Sequence, residues 1–373
     1  MHKIISAILF LFLISIGCAQ NNPPFIETPL KKNYTHEIII DGIDVPWGMA
    51  FLNKNELLVT DISGILYRVK DGKKTIVEGL PFIYARGQGG LLDVALHPDF
   101  KKNNIIYLTL STNTEGDSMG GNTALYCGEL EGNYLNNLKL IYKSVPNSKK
   151  GQHFGSRIVF DKKGYIYFSV GDRGNRERNP QDISRDGGKI YRLNLDGSIP
   201  KDNPFINSKG AKKAVFSYGH RNPQGMTIHP ITGEIWENEH GPKGGDEINI
   251  IKKGVNYGWP EITYGINYSG TPITYKTEDP SMEQPIYYWV PSIAPSGMAF
   301  STSNIYNDWK GSLFVGSLKF EYLERLVIEN NKVVKREKVL NKIGRVRNVI
   351  EGPDGYLYIG VEGKGIIKII PKT

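Results

Sequence analysis

Residues 162–172 read KKGYIYFSVGD: a lysine and glycine turn, a short run mixing aliphatic and aromatic side chains, then a glycine and an acid. Aromatic and β-branched residues bounded by turn formers mark a short strand entered from a tight turn. The same arrangement recurs in KNELLVTDISGILYRV (54–69), KNNIIYLTLST (102–112), ITGEIWENEHG (231–241), WKGSLFVGSL (309–318) and PDGYLYIGVEGKGIIKI (353–369). The six strand starts fall roughly 45 to 80 residues apart, which leaves room in each unit for four short strands and loops of unequal length. Helical periodicity is scarce. A parallel β-helix requires shorter, near-constant repeats, and a sandwich does not account for six similar hairpins. The pattern therefore predicts an all-β, six-bladed β-propeller with its loops gathered on two faces.

Working outward, the 373 residues are 39% hydrophobic and 23% charged, as in a folded chain, and Gly 42, Pro 21 and Tyr 21 suit many turns joined by aromatic strands. Residues 1–19 combine a basic start, an apolar stretch from Ile4 to Ile16 and the small residues Gly17, Cys18 and Ala19, which reads as a signal peptide or lipoprotein signal. Cleavage after Ala19 discards Cys18; cleavage before it leaves a lipid anchor on that cysteine, although Ser15 stands where a lipobox prefers Leu. Residues 20–45 then form a tether and first strand, and residues 46–373 a single propeller domain. The expected location is outside the cytoplasm, periplasmic or extracellular. In either case Cys127 is left alone, so a disulfide-held fold is not expected. The net charge of +8 is dispersed. With no basic helix, zinc-finger spacing or aromatic RNA-binding signature, no nucleic-acid partner is indicated.

Three groups of residues could carry chemistry. His153 and Asp172 flank the hairpin SRIVFDKKGYIYFSVG, which returns the chain near its start. An aspartate on one ring nitrogen would fix the tautomer and leave the other nitrogen as a base; a simple loop brace is the alternative. Arg221 and Asn222 can converge with His240, Gly241 and Pro242 across a short strand pair. The carbonyls of Gly241 and Pro242 suit a hard cation such as calcium, or the glycines merely build a tight turn, with Asp246 and Glu247 as ligands or loop caps. Lys319, Arg345 and Arg347 form a third set. The two arginines alternate across Val346, and either solvent or a polyanionic ligand must meet them. NYGWP (256–260) reads as packing, within a Pro-, Gly- and Tyr-rich stretch expected to run as one long excursion over a face. No Rossmann G-x-G-x-x-G is present.

GQGGLLDVALHPDF (87–100), QHFGSRIVFDKKGYIYFSVGDRG (152–174), GHRNPQGMTIHP (219–230), ENEHGPKGGDEINIIKKGVNYGWP (237–260) and GRVRNVIEGPDGYLYIG (344–360), in this order, resemble the soluble quinoprotein glucose dehydrogenase family, in particular its aldose sugar dehydrogenase branch. The resemblance runs from about Trp47 to the C-terminus. It implies a six-bladed propeller that binds pyrroloquinoline quinone and calcium and oxidises the anomeric carbon of aldoses to lactones, passing electrons to an external acceptor. It further implies that His153 is the catalytic base and Asp172 its orienting partner. Gln88, Arg221, Asn222, His240, Ser292, Lys319, Arg345 and Arg347 would contact the cofactor site, and the Gly241 and Pro242 carbonyls would ligate calcium. His240 stands where the glucose dehydrogenase has Gln, Gln152 where it has Asp, and Ser292 where Thr is expected, which leaves the preferred aldose open. The shorter loops imply an open cleft and a monomer or weak homodimer. A non-catalytic secreted propeller that binds carbohydrate or protein, and a calcium-dependent lactonase, are the competing readings.

Overall fold

A computed structural model describes residues 27–28, 34–114 and 119–372; the signal segment and Cys18 lie outside the described residues. Six sheets follow one another along the chain, and the first strand of each packs against the first strand of the next. These first strands, Pro46–Asn53, Leu91–Leu96, Ile158–Phe160, Pro223–Ile228, Pro295–Phe300 and Val346–Glu351, form the wall of a central channel. The architecture is the all-β six-bladed propeller. Among the described residues the helical content is the single turn Phe100–Asn103, and no helix is long and apolar enough to cross a membrane.

The six repeated stretches are all second strands: Glu56–Asp61, Ile105–Thr112, Tyr165–Val170, Ile235–Glu239, Leu313–Ser317 and Leu357–Val361. They are buried almost throughout, because each blade is covered by a neighbour on both faces. That explains why they read as near-continuous apolar runs where half-exposed strands would alternate. The interblade core is accordingly a series of apolar clusters, one of which packs Trp236, Trp289 and Phe300 between the fourth and fifth blades.

The last blade draws strands from both ends of the chain. Tyr34–Ile40 pairs antiparallel with Gly365–Pro371 and is the outer strand of the closing sheet, whereas the earlier Glu27–Thr28 pairs parallel with Lys332–Asn341 at the edge of the fifth blade.

The channel is narrowed at its waist by polar side chains that glycines admit. A Cβ on Gly48 would lie 2.7 Å from Asp93 Oδ1, and one on Gly297 would lie 2.5 Å from Asn348 Oδ1. Asp93 pairs with Arg157 at 2.8 Å, and the Arg157 guanidinium lies 4.2 Å from the Trp47 ring centroid. A cavity of about 440 Å³ with Trp47, Gln224 and Arg347 in its wall lies on one side. One of about 430 Å³ with Asp93, Arg157 and Asn348 in its wall lies on the other.

Candidate active site

The connections that follow second and fourth strands collect at one mouth of the channel, and they carry the predicted residues. Gln88 precedes the first strand of blade two, His153 that of blade three, Arg221 and Asn222 that of blade four, and Arg345 that of blade six. Asp172, His240 and Lys319 follow second strands. Because antiparallel neighbours return to the same end, residues remote in sequence meet here.

His153 Nδ1 lies 2.6 Å from Asp172 Oδ1, with the imidazole 13% exposed and the carboxylate 1% exposed. Burial holds the His153 pKa below its ordinary value; the Asp172 hydrogen bond opposes this, and the Arg221 charge adds to it. For Asp172 burial acts upward, but the His153 hydrogen bond and nearby positive charges outweigh it and keep the carboxyl below its usual range. The result at neutral pH is a neutral imidazole beside a carboxylate, with Nε2 left to accept a proton. The backbone at His153 is left-handed, with φ of 57°, an uncommon conformation for a residue with a side chain. It is secured by Gln88, whose Oε1 accepts from His153 N at 2.8 Å.

The approach segment 148–152 is clamped. Arg173, also left-handed at φ 56°, donates to the carbonyls of Gln152, Lys150 and Gly121. Its guanidinium lies 3.4 Å from the Phe154 ring centroid. Sequence reasoning missed Arg173; the signal was its place directly after Asp172.

Arg221 donates to the carbonyls of His240 at 2.9 Å and Gly241 at 3.0 Å. His240 Nε2 lies 2.6 Å from Pro295 O, and burial, then the Arg221 charge, lower its pKa to about 3. This imidazole is therefore a neutral donor. Arg345 and Arg347 both bond Glu362, through Arg345 Nε at 2.5 Å and Arg347 Nε at 3.0 Å. The anion that their alternation demanded is thus partly internal, and Glu362 was not foreseen. Two guanidiniums on one carboxylate still leave excess positive charge in the cavity wall.

Some predicted residues stand back from the cavities. Asn222 is buried and accepts from Gly155 N at 3.2 Å, bracing the turn after His153. Ser292 donates to Asp246 at 2.7 Å, and Asp246 also accepts from the backbone N–H of Gly241, Ile293 and Ala294. Asp246 is thus a loop brace, its pKa raised to about 6 by burial. Lys319 is exposed, with its ammonium 5.1 Å from the Phe320 ring centroid, and the cavity wall at that loop is Leu318. NYGWP carries more than packing, because the Trp259 indole donates to Asp172 Oδ2 at 2.9 Å.

Two adjoining cavities make up the site. The channel cavity of about 440 Å³ contains Gln88, His240, Arg345 and Arg347; a second, of about 370 Å³, contains His153, Asp172, Arg221, Pro242 and Trp259. Their cationic walls and hydrogen-bond donors fit a planar polyanion. Gly241 cannot carry a side chain here, since a Cβ would lie 2.2 Å from Gly244 O and 2.3 Å from Gly245 O. Behind this loop lies a group of metal-binding character not foreseen from sequence: His220, Glu237 and Glu239, buried, with ligand atoms all within 4.8 Å of one another. Glu237 Oε1 and the adjacent Asn249 Oδ1 have no hydrogen-bond partner. Burial and neighbouring carboxylates push Glu237 well above the usual range. Unsatisfied oxygens in a dry site are the donor set of a hard cation.

The glucose / sorbosone dehydrogenase family model matches residues 43–368. The aldose sugar dehydrogenase YliI of Escherichia coli (strain K12) is 42% identical over 372 residues, covering 97% of this chain and 98% of that protein. The apo crystal structure of the soluble aldose sugar dehydrogenase from Escherichia coli superposes with a TM-score of 0.87 at 40% identity, over 91% of this chain and 99% of that one. The PQQ-bound aldose sugar dehydrogenase of Streptomyces coelicolor gives a TM-score of 0.73 at 26% identity, over 92% and 99%. A family match spanning nearly all of the propeller, and a relative alike from end to end, agree with the fold and the converging site: the chain belongs to the glucose / sorbosone dehydrogenase family.

Proposed function

We propose that the protein is an exported aldose sugar dehydrogenase that uses pyrroloquinoline quinone and calcium to oxidise the C1 hydroxyl of a cyclic aldose to the lactone, and that it delivers the electrons to an external acceptor. The observation that carries this reading is the buried His153–Asp172 pair at 2.6 Å, set beside cavities walled by Arg221, Arg345 and Arg347. The similarity to aldose sugar dehydrogenases, one of them PQQ-bound, supports the choice of cofactor and substrate class.

When bound, the quinone supplies an electrophilic carbon that accepts hydride, and calcium polarises it. The chain's residues would do the rest. His153 Nε2 takes the C1 hydroxyl proton, Asp172 holds the ring in the productive tautomer and steadies the imidazolium that forms, and Gln88 fixes the backbone beneath the base. Arg221, Arg345 and Arg347 hold the cofactor's carboxylates, with Gln88 and His240 in the same wall and Lys319 at the rim. The carbonyls of Gly241 and Pro242 would hold calcium at the cofactor; the His220–Glu237–Glu239 group fits a second, structural cation. Asn222 and Ser292 act by bracing. We take the protein to work as a monomer or weak homodimer, periplasmic or extracellular, with a lipid anchor if Cys18 is retained.

Reconstituting purified apoprotein with pyrroloquinoline quinone and calcium, then following dye reduction over a panel of aldoses, tests the reading. Saturable cofactor binding and turnover are expected. A folded protein that shows neither overturns it.

A further inference from the structure

Asp172 is held at both oxygens. Oδ1 accepts from His153 Nδ1 at 2.6 Å and from Gly174 N at 2.7 Å; Oδ2 faces the other way and accepts from Trp259 Nε1 at 2.9 Å. A carboxylate fixed at one oxygen can rotate about its Cβ–Cγ bond, whereas one fixed at both cannot. The indole arrives from 87 residues further along the chain and is itself held. Trp259 N donates to Gly219 O at 2.8 Å, Gln181 Nε2 donates to Trp259 O at 2.8 Å, and the Arg221 guanidinium lies 5.4 Å from its ring centroid.

We infer that Trp259 is a positioning residue for the base, acting through Asp172; this rests on the proposed role of His153. The N–H on Oδ2 locks the carboxylate plane and, with it, the imidazole. It also draws negative charge away from Oδ1, which weakens the pull on the Nδ1 proton and favours the neutral ring that a base requires. The other charged or titratable groups facing the pair are Arg221, Arg173 and the neutral His240 around His153, and Arg221, Arg173 and Lys189 around Asp172. Without the indole N–H, the full carboxylate charge bears on Nδ1, and the imidazolium gains.

The test compares Trp259→Phe, which keeps a ring and loses the donor, with the wild-type protein. In the apoprotein, NMR titration of isotope-labelled histidine should show the His153 pKa raised by about 0.5 to 1 unit. In the reconstituted enzyme, kcat should fall about tenfold, aldose KM should stay within about twofold, and the acid limb of the pH profile should move up. An unchanged His153 titration together with an unchanged pH profile and kcat overturns the inference. A double-mutant cycle with Asp172→Asn adds a second arm: added to Asp172→Asn, Trp259→Phe should cost nothing further, and additive losses overturn it. Should Trp259→Phe fail to fold, the indole N–H resonance of Trp259 is read in the Asp172→Asn apoprotein. It should shift upfield from its wild-type position, and an unmoved resonance overturns the inference. The apoprotein arms need no cofactor, so an absence of aldose oxidation by the wild type would count against the proposed function and leave the Trp259 result standing.

Discussion

At the residue scale, His153 is kept a neutral imidazole by its surroundings. Burial holds its pKa below the ordinary histidine value of 6.5, so the neutral ring persists into mildly acid solution. The sign follows directly: kcat/KM should be flat at neutral pH and fall as pH drops through a value below 6.5, read from dye-reduction rates in a pH series. His153→Ala should lower kcat about a thousandfold while pyrroloquinoline quinone still titrates with near wild-type affinity. Arg347 and Glu362 pull in opposite directions on the cofactor. Arg347→Ala should weaken its binding roughly ten- to a hundredfold. Glu362→Gln frees both arginines of their shared counter-charge, so it should tighten binding at low salt and lower the melting temperature of the apoprotein. Titrations with and without added salt separate the two effects.

The base pair was legible in sequence because a single hairpin returns Asp172 to His153, a local relation that spacing encodes. At Gly241 and Pro242 only the tight loop was legible, from a proline without an N–H and its glycine neighbours; that the Gly241 carbonyl accepts from Arg221 was not. Trp259 was not, since it reaches Asp172 from the next blade, and no one-dimensional pattern records that contact. Glu362 faces Arg345 and Arg347 across one hairpin of the sixth blade, a relation as local as that of His153 and Asp172, but its place one residue past a strand gave it no motif. Lys319 illustrates the opposite difficulty. Its charge suggested the cavity, but an unbranched side chain at a loop end is free to lie over Phe320 instead.

At the scale of elements, the segment before the base looked loose, rich in lysine and glycine, yet it is held by Arg173. That side chain is 2% exposed and satisfies carbonyls on two separate loops. Replacing it with leucine should leave those carbonyls without their donor, lower kcat about a hundredfold and expose the 148–152 segment to limited proteolysis; cleavage mapping by mass spectrometry reads the second effect directly. The buried group formed by the second strand of blade four and the loop before its first strand behaves differently. Glu237 Oε1 and Asn249 Oδ1 lie in this dry interior without a donor, whereas Glu239 bonds His220, Asn249 and the backbone N–H groups of Arg221 and Asn222. Chelation should therefore lower the melting temperature, and added calcium should restore it by mass action, as calorimetry can show.

At the scale of the whole molecule, the repeated strands revealed the propeller because every blade must bury its second strand on both faces, whatever its loops do. The polar waist was hidden, since Gly48 and Gly297 look like ordinary strand glycines until the neighbour whose side chain they admit is known. Gly297→Ala would set a methyl against Asn348 backbone as well as its side chain. It should destabilise the fold by about 1 to 3 kcal/mol, measured by denaturant unfolding.

The shared last blade also governs when the fold can be completed. Tyr34 lies opposite Pro371, so the ring shuts through partners at the two extremes of the sequence. Contacts of such range are made late, after shorter loops have closed, and on a growing chain they must await the final strand. Until then Tyr34–Ile40 has no partner, and the nascent protein is an open arc of blades. An open arc stays accessible to holding factors and able to thread a secretion pore, and the finished ring is neither. The placement of Tyr34–Ile40 therefore ties commitment to the native state to the arrival of Gly365–Pro371.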